Sequence, residues 1–227
     1  MQRRRSDPRL IRDYLETHEV RKLQLGAGPN PLPGWLNTDL LPDQYAEHRD
    51  RIVRLDARSR FPLPDVSFDY ITSEHQISIL TVTEGMSMLR ECFRVLRPHG
   101  HLRIATPDLA SFLGLYGDHP DDAQRHYMDW IMRRYWPGIH TDSPQSFVIN
   151  KMFNSHGHRF IYDKATLAAL LSDAGLTDIT GWSPGESSDP ELRGVESHGR
   201  ALGDEAVNRF ETMVLEAVRP AAGSGPV

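Results

Sequence analysis

Residues able to do chemistry are gathered in a few short stretches of this 227-residue sequence. Gly26 and Gly28 follow the apolar run Lys22-Leu-Gln-Leu25. They permit a turn at positive φ, and with no Cβ a ligand can reach the backbone there. Asp39 falls where an acid at the tip of a second strand can accept hydrogen bonds from a ribose diol. Histidine is the natural base at neutral pH, and three stretches present one. His75 follows Glu74, a candidate orienting acid; His140-Thr-Asp142 follows the loop signal Pro137-Gly138; His156-Gly-His158 precedes Arg159-Phe-Ile-Tyr-Asp163. The plain alternative for each is a histidine that bonds backbone and fixes its loop. His140, Asp142, His156, His158, Asp189 and Glu191 also have the donor types for a divalent metal. Magnesium would prefer the carboxylates, although nothing in the spacing demands an ion.

These residues need a scaffold, and the hydrophobic pattern predicts one. An amphipathic helix is expected from Pro8 to about Glu19, with Leu10, Ile11, Tyr14 and Leu15 at helical spacing. Strands are expected at Lys22–Leu25, Leu36–Leu40, Ile52–Leu55, Phe68–Thr72, His101–Ala105, Asp178–Thr180 and Arg209–Val218. Residues 81–97 read as a helix stopping at Pro98-His-Gly100. Residues 163–174 read as another, opened by the N-cap Asp163 and closed at Gly175. The two ends, 1–7 and 221–227, read as frayed. Alternation of strand and helix predicts an α/β fold. It is a Rossmann-like, seven-stranded, mostly parallel sheet with an antiparallel last strand and helices on both faces. Ligands in such sheets bind beyond the carboxyl ends of the strands. Segments 26–35, 40–44, 56–62, 73–80, 107–163 and 182–207 are all expected at that edge.

The length suits a single domain, residues 1–227, with 107–162 as a helical lid inserted after the fifth strand. That lid carries Tyr127, Trp130, Tyr135, Trp136 and Phe147, with Asp118, Asp121, Asp122, His126, His140 and Asp142. Aromatic faces beside acids and histidines suit a carbohydrate, whose ring stacks and whose hydroxyls need polar partners. The same aromatics could instead pack the lid or form the contact of a homodimer. The polar loop Ser187-Ser-Asp-Pro-Glu191 through His198 could grip sugar hydroxyls or be a mobile surface loop.

Taken in order, the motifs resemble those of the class I S-adenosylmethionine-dependent methyltransferases. Leu-Gln-Leu-Gly-Ala-Gly28 resembles the family's first motif, and Ser67-Phe-Asp-Tyr-Ile-Thr-Ser-Glu-His75 its fourth-strand motif. Leu89-Arg-Glu-Cys-Phe-Arg-Val-Leu-Arg-Pro-His-Gly100 resembles the helix and turn before strand five. The match spans about residues 20–108 and 158–219. The resemblance implies S-adenosyl-L-methionine as cofactor. Leu25, Gly26, Ala27 and Gly28 would cradle it, Asp39 would hold its ribose, and Asp56 and Ala57 would frame its adenine, with Phe61 completing an apolar slot. Ser73 and Glu74 would touch it from the fourth strand. The expected catalytic residues are His75, His140 and Asp142, and the expected acceptor contacts are Tyr135, Trp136, His156, His158 and Glu191. The family's first helix has little room between Gly28 and Asp39, as in a subgroup reading Gly-Trp-x-Asn-x-Asp. A second Glu-His pair, frequent in that subgroup, is missing here. Prolines 29, 31 and 33 remove N–H groups that a diphosphate would want at a helix start, which disfavours a dinucleotide. The arginine bias and the Gly34-Trp-Leu-Asn-Thr-Asp39 sequence resemble actinobacterial sugar O-methyltransferases, such as those of mycobacterial methylmannose polysaccharide synthesis. An O- or N-methyltransferase of another small metabolite, or a module that only binds the cofactor, stays open.

Composition narrows the partners. A net charge of −5 with no basic stripe argues against nucleic acid. Cys92 is the single cysteine, so neither a disulfide nor a cysteine zinc site can form within one chain. No apolar run approaches the roughly 20 residues of a membrane span, and Met-Gln-Arg-Arg-Arg-Ser lacks the apolar core of a secretory signal. The expectation is a cytoplasmic protein with a small-molecule or oligosaccharide acceptor and no membrane partner.

Overall fold

The computed structural model describes residues 7–117 and 119–221. Asp118 and most of the two ends expected to fray lie outside them. The chain opens with α1 (Asp7–Thr17), then β1 (Lys22–Leu25), β2 (Leu36–Asp39), β3 (Ile52–Arg54) and β4 (Phe68–Glu74). Next come α2 (Val82–Val95), β5 (Leu96–Pro107), α3 (Leu109–Leu113), α4 (Asp122–Tyr135) and α5 (Gln145–Asn154). The chain closes with α6 (Lys164–Asp173), β6 (Thr177–Trp182), α7 (His198–Leu202), α8 (Glu205–Glu211) and β7 (Thr212–Val218).

The seven strands form one sheet in the order β3-β2-β1-β4-β5-β7-β6, and β7 runs antiparallel to both its neighbours. The remaining pairs are parallel, with Leu25 beside Thr38 and Ser73, and Glu74 beside Ala105. That register brings the carboxyl ends of β1, β2, β4 and β5 to one edge. The expected fold is present, with the strand order reversing between β1 and β4, where such sheets open a crevice.

Local chemistry explains the elements. Thr81 and Glu84 form a reciprocal capping box at the start of α2, and Asp163 caps α6 through the Thr166 N–H. No helix joins β1 to β2. Two buried amides substitute for it: Gln24 and Asn37 each accept from the Leu32 N–H, and Asn37 also donates to the Leu32 and Trp35 carbonyls. The proline-rich link is thus satisfied without helical hydrogen bonds. The principal core packs α1, α2 and α6 against the sheet around Leu23, Phe68, Ile71, Leu102 and Leu167.

Several boundaries differ from expectation, and three differences bear on the site. The last strand begins at Thr212, because Arg209–Glu211 end α8, whose start Asp204 caps through the Ala206 and Val207 N–H groups. Phe210 lies against the Tyr127 ring at 4.5 Å, so its apolar contact is with the insertion. The helix expected to reach residue 97 stops at Val95 and β5 takes over at Leu96. Arg219 meets the freed carbonyls of Phe93, Arg94 and Leu96 there. Finally, only part of 182–207 lies at the carboxyl edge. Its first half is laid over the sheet face by fully buried Arg103, which pairs with Glu196 and Glu216 and donates to the Glu186 carbonyl.

The insertion leaves and rejoins the sheet at one point. Asp108 and Tyr162 form a bridge, and the Leu109 N–H donates to the Tyr162 carbonyl. Between them α3, α4 and α5 share a second apolar cluster with α8, centred on Phe112, Tyr127, Ile131 and Val148. Among the described residues no helix is long and apolar enough to cross a membrane.

Candidate active site

The glycine turn stands at the carboxyl end of β1. Gly26 and Gly28 have φ of +68° and +55°, a region that disfavours side chains. The carboxylate of Asp39 is shared by two backbone donors: the Gly28 N–H meets Oδ2 at 3.0 Å and the Leu41 N–H meets Oδ1 at 2.8 Å. Asp39 therefore closes the turn, and each of its oxygens, with one backbone donor apiece, keeps a second lone pair for a further donor. Gln76 lies over Gly26, with Oε1 2.0 Å from where a Cβ on Gly26 would stand. Among the described residues that buried oxygen has no partner, nor has Ser73 Oγ at the end of β4. A turn closed to a Cβ at Gly26, with two buried acceptors lacking donors, fits the ammonium-bearing amino-acid end of S-adenosylmethionine. Asp56 is held by Arg58 through both carboxylate oxygens, which pushes its pKa down. Ala57 and Phe61 are both buried and both belong to the principal core.

Next to Gln76, His75 opens a cavity of about 260 Å³ between the sheet edge and the insertion. Its lining includes Pro107, Tyr135, Lys151, His156, His158, His198 and Glu211. His75 and His156 both sit at positive φ, +52° and +61°, unusual for side-chain-bearing residues and a mark of functional sites. The His75 N–H donates to the Ala105 carbonyl, and its ring lies 4.1 Å from that of His198. Burial, then the neighbouring histidines, pushes the His75 pKa well below the usual value. His158 Nδ1 meets Ser78 Oγ at 3.1 Å, and burial with the charges of His156 and Lys151 lowers its pKa to about 4. His156 is lowered for the same leading reason.

His198 is placed differently. Its Nε2 lies 2.6 Å from Glu211 Oε1, and Tyr127 donates its hydroxyl to Glu211 Oε2 at 2.7 Å. Glu211 thus fixes the imidazole with Nε2 protonated and leaves Nδ1 the free lone pair, while Tyr127 holds the carboxylate still. The backbone of this segment is anchored by Glu74, which accepts from the Ser197 N–H and hydroxyl and from the His198 N–H at 2.8–3.0 Å. Glu74 therefore orients His198 and not His75, and its oxygens are engaged with α7.

The other expected residues are dispersed. Tyr135, His156 and His158 share the cavity with His75. His140 and Asp142 are exposed on the α4–α5 loop and line a separate cavity with Trp136, which stacks edge-on against Phe147 at 5.5 Å. Glu191 pairs with Lys22 at 2.7 Å, at the first residue of β1 and so at the opposite end of the strand. The metal set imagined from sequence does not converge, and among the described residues no group of three or more His, Cys, Asp or Glu could hold an ion. Sequence reasoning gave Glu211 and Lys151 no role in the site, and met Tyr127 and His198 only as members of the aromatic lid and of the polar loop. One signal was available: Lys151 is one of only three lysines in a chain of arginines.

Comparison with known proteins agrees with this geometry. Residues 36–104, from β2 into β5, match the family model of a methyltransferase domain. A S-adenosylmethionine-dependent methyltransferase from Archaeoglobus fulgidus is 15% identical over 96% of this chain and 94% of that one, with a TM-score of 0.52. One from Thermotoga maritima is 16% identical over 91% and 87%, with a TM-score of 0.50. A search of curated proteins finds no match. The fold is thus that of these S-adenosylmethionine-dependent methyltransferases, and the β2–β5 segment resembles a methyltransferase domain.

Proposed function

We propose that this chain is a S-adenosylmethionine-dependent methyltransferase that methylates a hydroxyl of a small polar acceptor, such as a sugar or one unit of a glycan. The observation that carries it is the His198–Glu211–Tyr127 chain, whose His198 and Glu211 line the cavity that His75 opens at the end of β4. The cofactor supplies an electrophilic methyl group whose C–S bonding pair stays with sulfur as the acceptor oxygen takes the carbon. A hydroxyl must shed its proton as it attacks, so a positioned base accelerates the step. His198 Nδ1 accepts that proton, and Glu211 stabilises the imidazolium that results. His75, kept neutral by burial, shares the cavity wall with His198, their rings 4.1 Å apart. Tyr135 offers an aromatic face for a sugar ring. The cavity, about 260 Å³, falls just below the roughly 300–1,000 Å³ of typical ligand sites, so it would take one ring and not a whole oligosaccharide.

Glu211→Gln tests this. The amide keeps an acceptor for Tyr127 but loses the charge and can hold His198 in the wrong tautomer. Turnover is expected to fall by about 10²–10⁴-fold, the range of general-base catalysis, with cofactor affinity unchanged. Turnover within threefold of the parent would remove His198 as the base.

A further inference from the structure

Lys151 is a cation in search of a partner. It lies on α5 only 7% exposed, in the wall of the His75 cavity. Its Nζ stands over the Tyr135 ring, 4.5 Å from the centroid. Among the described residues it forms no ion pair. The one carboxylate sharing the cavity, Glu211, has its two oxygens engaged by His198 and Tyr127. A buried ammonium without a counter-charge is costly, and the ring face offsets that only in part. His156 and His158 stand on the same wall, and the charge of Lys151 acts on both. The cavity therefore offers positive charge and imidazole N–H donors to a ligand, and its sole acid is internally satisfied.

We propose that the acceptor carries an oxyanion, a carboxylate or a phosphate, which pairs with Lys151 while its hydroxyl meets His198. This deepens the methyltransferase reading and rests on it for the word acceptor; the anion site itself stands without it. A hydroxy acid, a uronic acid or a sugar phosphate has the required chemistry. An amine acceptor, cationic before reaction, would be repelled by Lys151 and enters poorly.

The test uses the full chain, titrated calorimetrically with inorganic phosphate and, separately, with acetate, for the parent and Lys151→Met. The parent should bind at least one anion saturably, and Lys151→Met should weaken it tenfold or more. Preference for phosphate or for acetate assigns the oxyanion. Thermal melts keep the variant interpretable: without anion, Lys151→Met should melt no lower than the parent, since it removes an unpaired charge, and added anion should raise the midpoint of the parent alone. No saturable binding of either anion to the parent, or equal binding to a folded Lys151→Met, overturns the proposal. Anion binding by a chain that transfers no methyl group would leave this site standing and remove the methyltransferase reading.

Discussion

Removing Glu74 should loosen the helix that presents His198 without unfolding the sheet. Three donor groups converge on this carboxylate, the Ser197 N–H and hydroxyl and the His198 N–H. A hydrogen bond to a charged group is worth about 1.5–3 kcal/mol. Water can replace part of that at a half-buried site, so Glu74→Ala should cost the 197–203 segment about 2–3 kcal/mol locally. At about 1.4 kcal/mol per tenfold, amide exchange across α7 should accelerate by roughly 30–150-fold. Exchange in β4 and β5 should stay near the parent value, because their ladders do not depend on the carboxylate. Glu74→Gln keeps one acceptor oxygen and should show about half the effect in free energy. Hydrogen exchange read by mass spectrometry on peptides spanning 197–203 measures this directly. Exchange there within threefold of the parent in Glu74→Ala would refute the view that Glu74 anchors His198.

Other expectations follow from the same geometry. Arg103→Met leaves Glu196 and Glu216 buried without their cation; urea denaturation should show a loss of about 3–5 kcal/mol, largely recovered when both acids are also made Gln. Gly26→Ala puts a Cβ against Gln76 Oε1 at φ +68°, whereas the nearest atom to a Cβ on Gly28 is Tyr45 Oη at 3.9 Å. Gly26→Ala should therefore weaken S-adenosylhomocysteine binding by tenfold or more, and Gly28→Ala less, as calorimetry would show. His158 titrates near 4 in the folded chain and near 6.5 unfolded, and His75 and His156 shift the same way. The unfolded chain thus binds protons that the native one refuses, so stability should fall as pH drops from about 6.5 toward 4. His158→Gln should make that decline shallower in melts across the range.

How much of this was legible in the sequence depended on how local each determinant is. The glycine turn, the Asp163 cap and the strand pattern are written in adjacent residues, and the fold followed from them. The insertion was legible too, because its ends must return to one sheet edge. Tertiary pairing was not. Glu191 belongs to a polar loop that gives no sign of lying over the sheet face, since the Arg103 that holds the loop is some ninety residues away. Glu211 looked like strand because it abuts β7, and only the Asp204 cap shows that a helix ends there. His75 drew attention by following an acid, yet that acid reaches across to α7. The residues that line the cavity come from six separate stretches, and no spacing rule joins them.

The central claim is tested most directly by transfer of a labelled methyl group from S-adenosylmethionine to a panel of small acceptors, each hydroxylated compound presented with and without a carboxylate or phosphate. Label on the oxygen of an oxyanion-bearing hydroxyl compound, lost in Glu211→Gln, is the predicted result. Label confined to amine nitrogens, or no transfer to any hydroxyl by a chain shown to bind the cofactor, would contradict it.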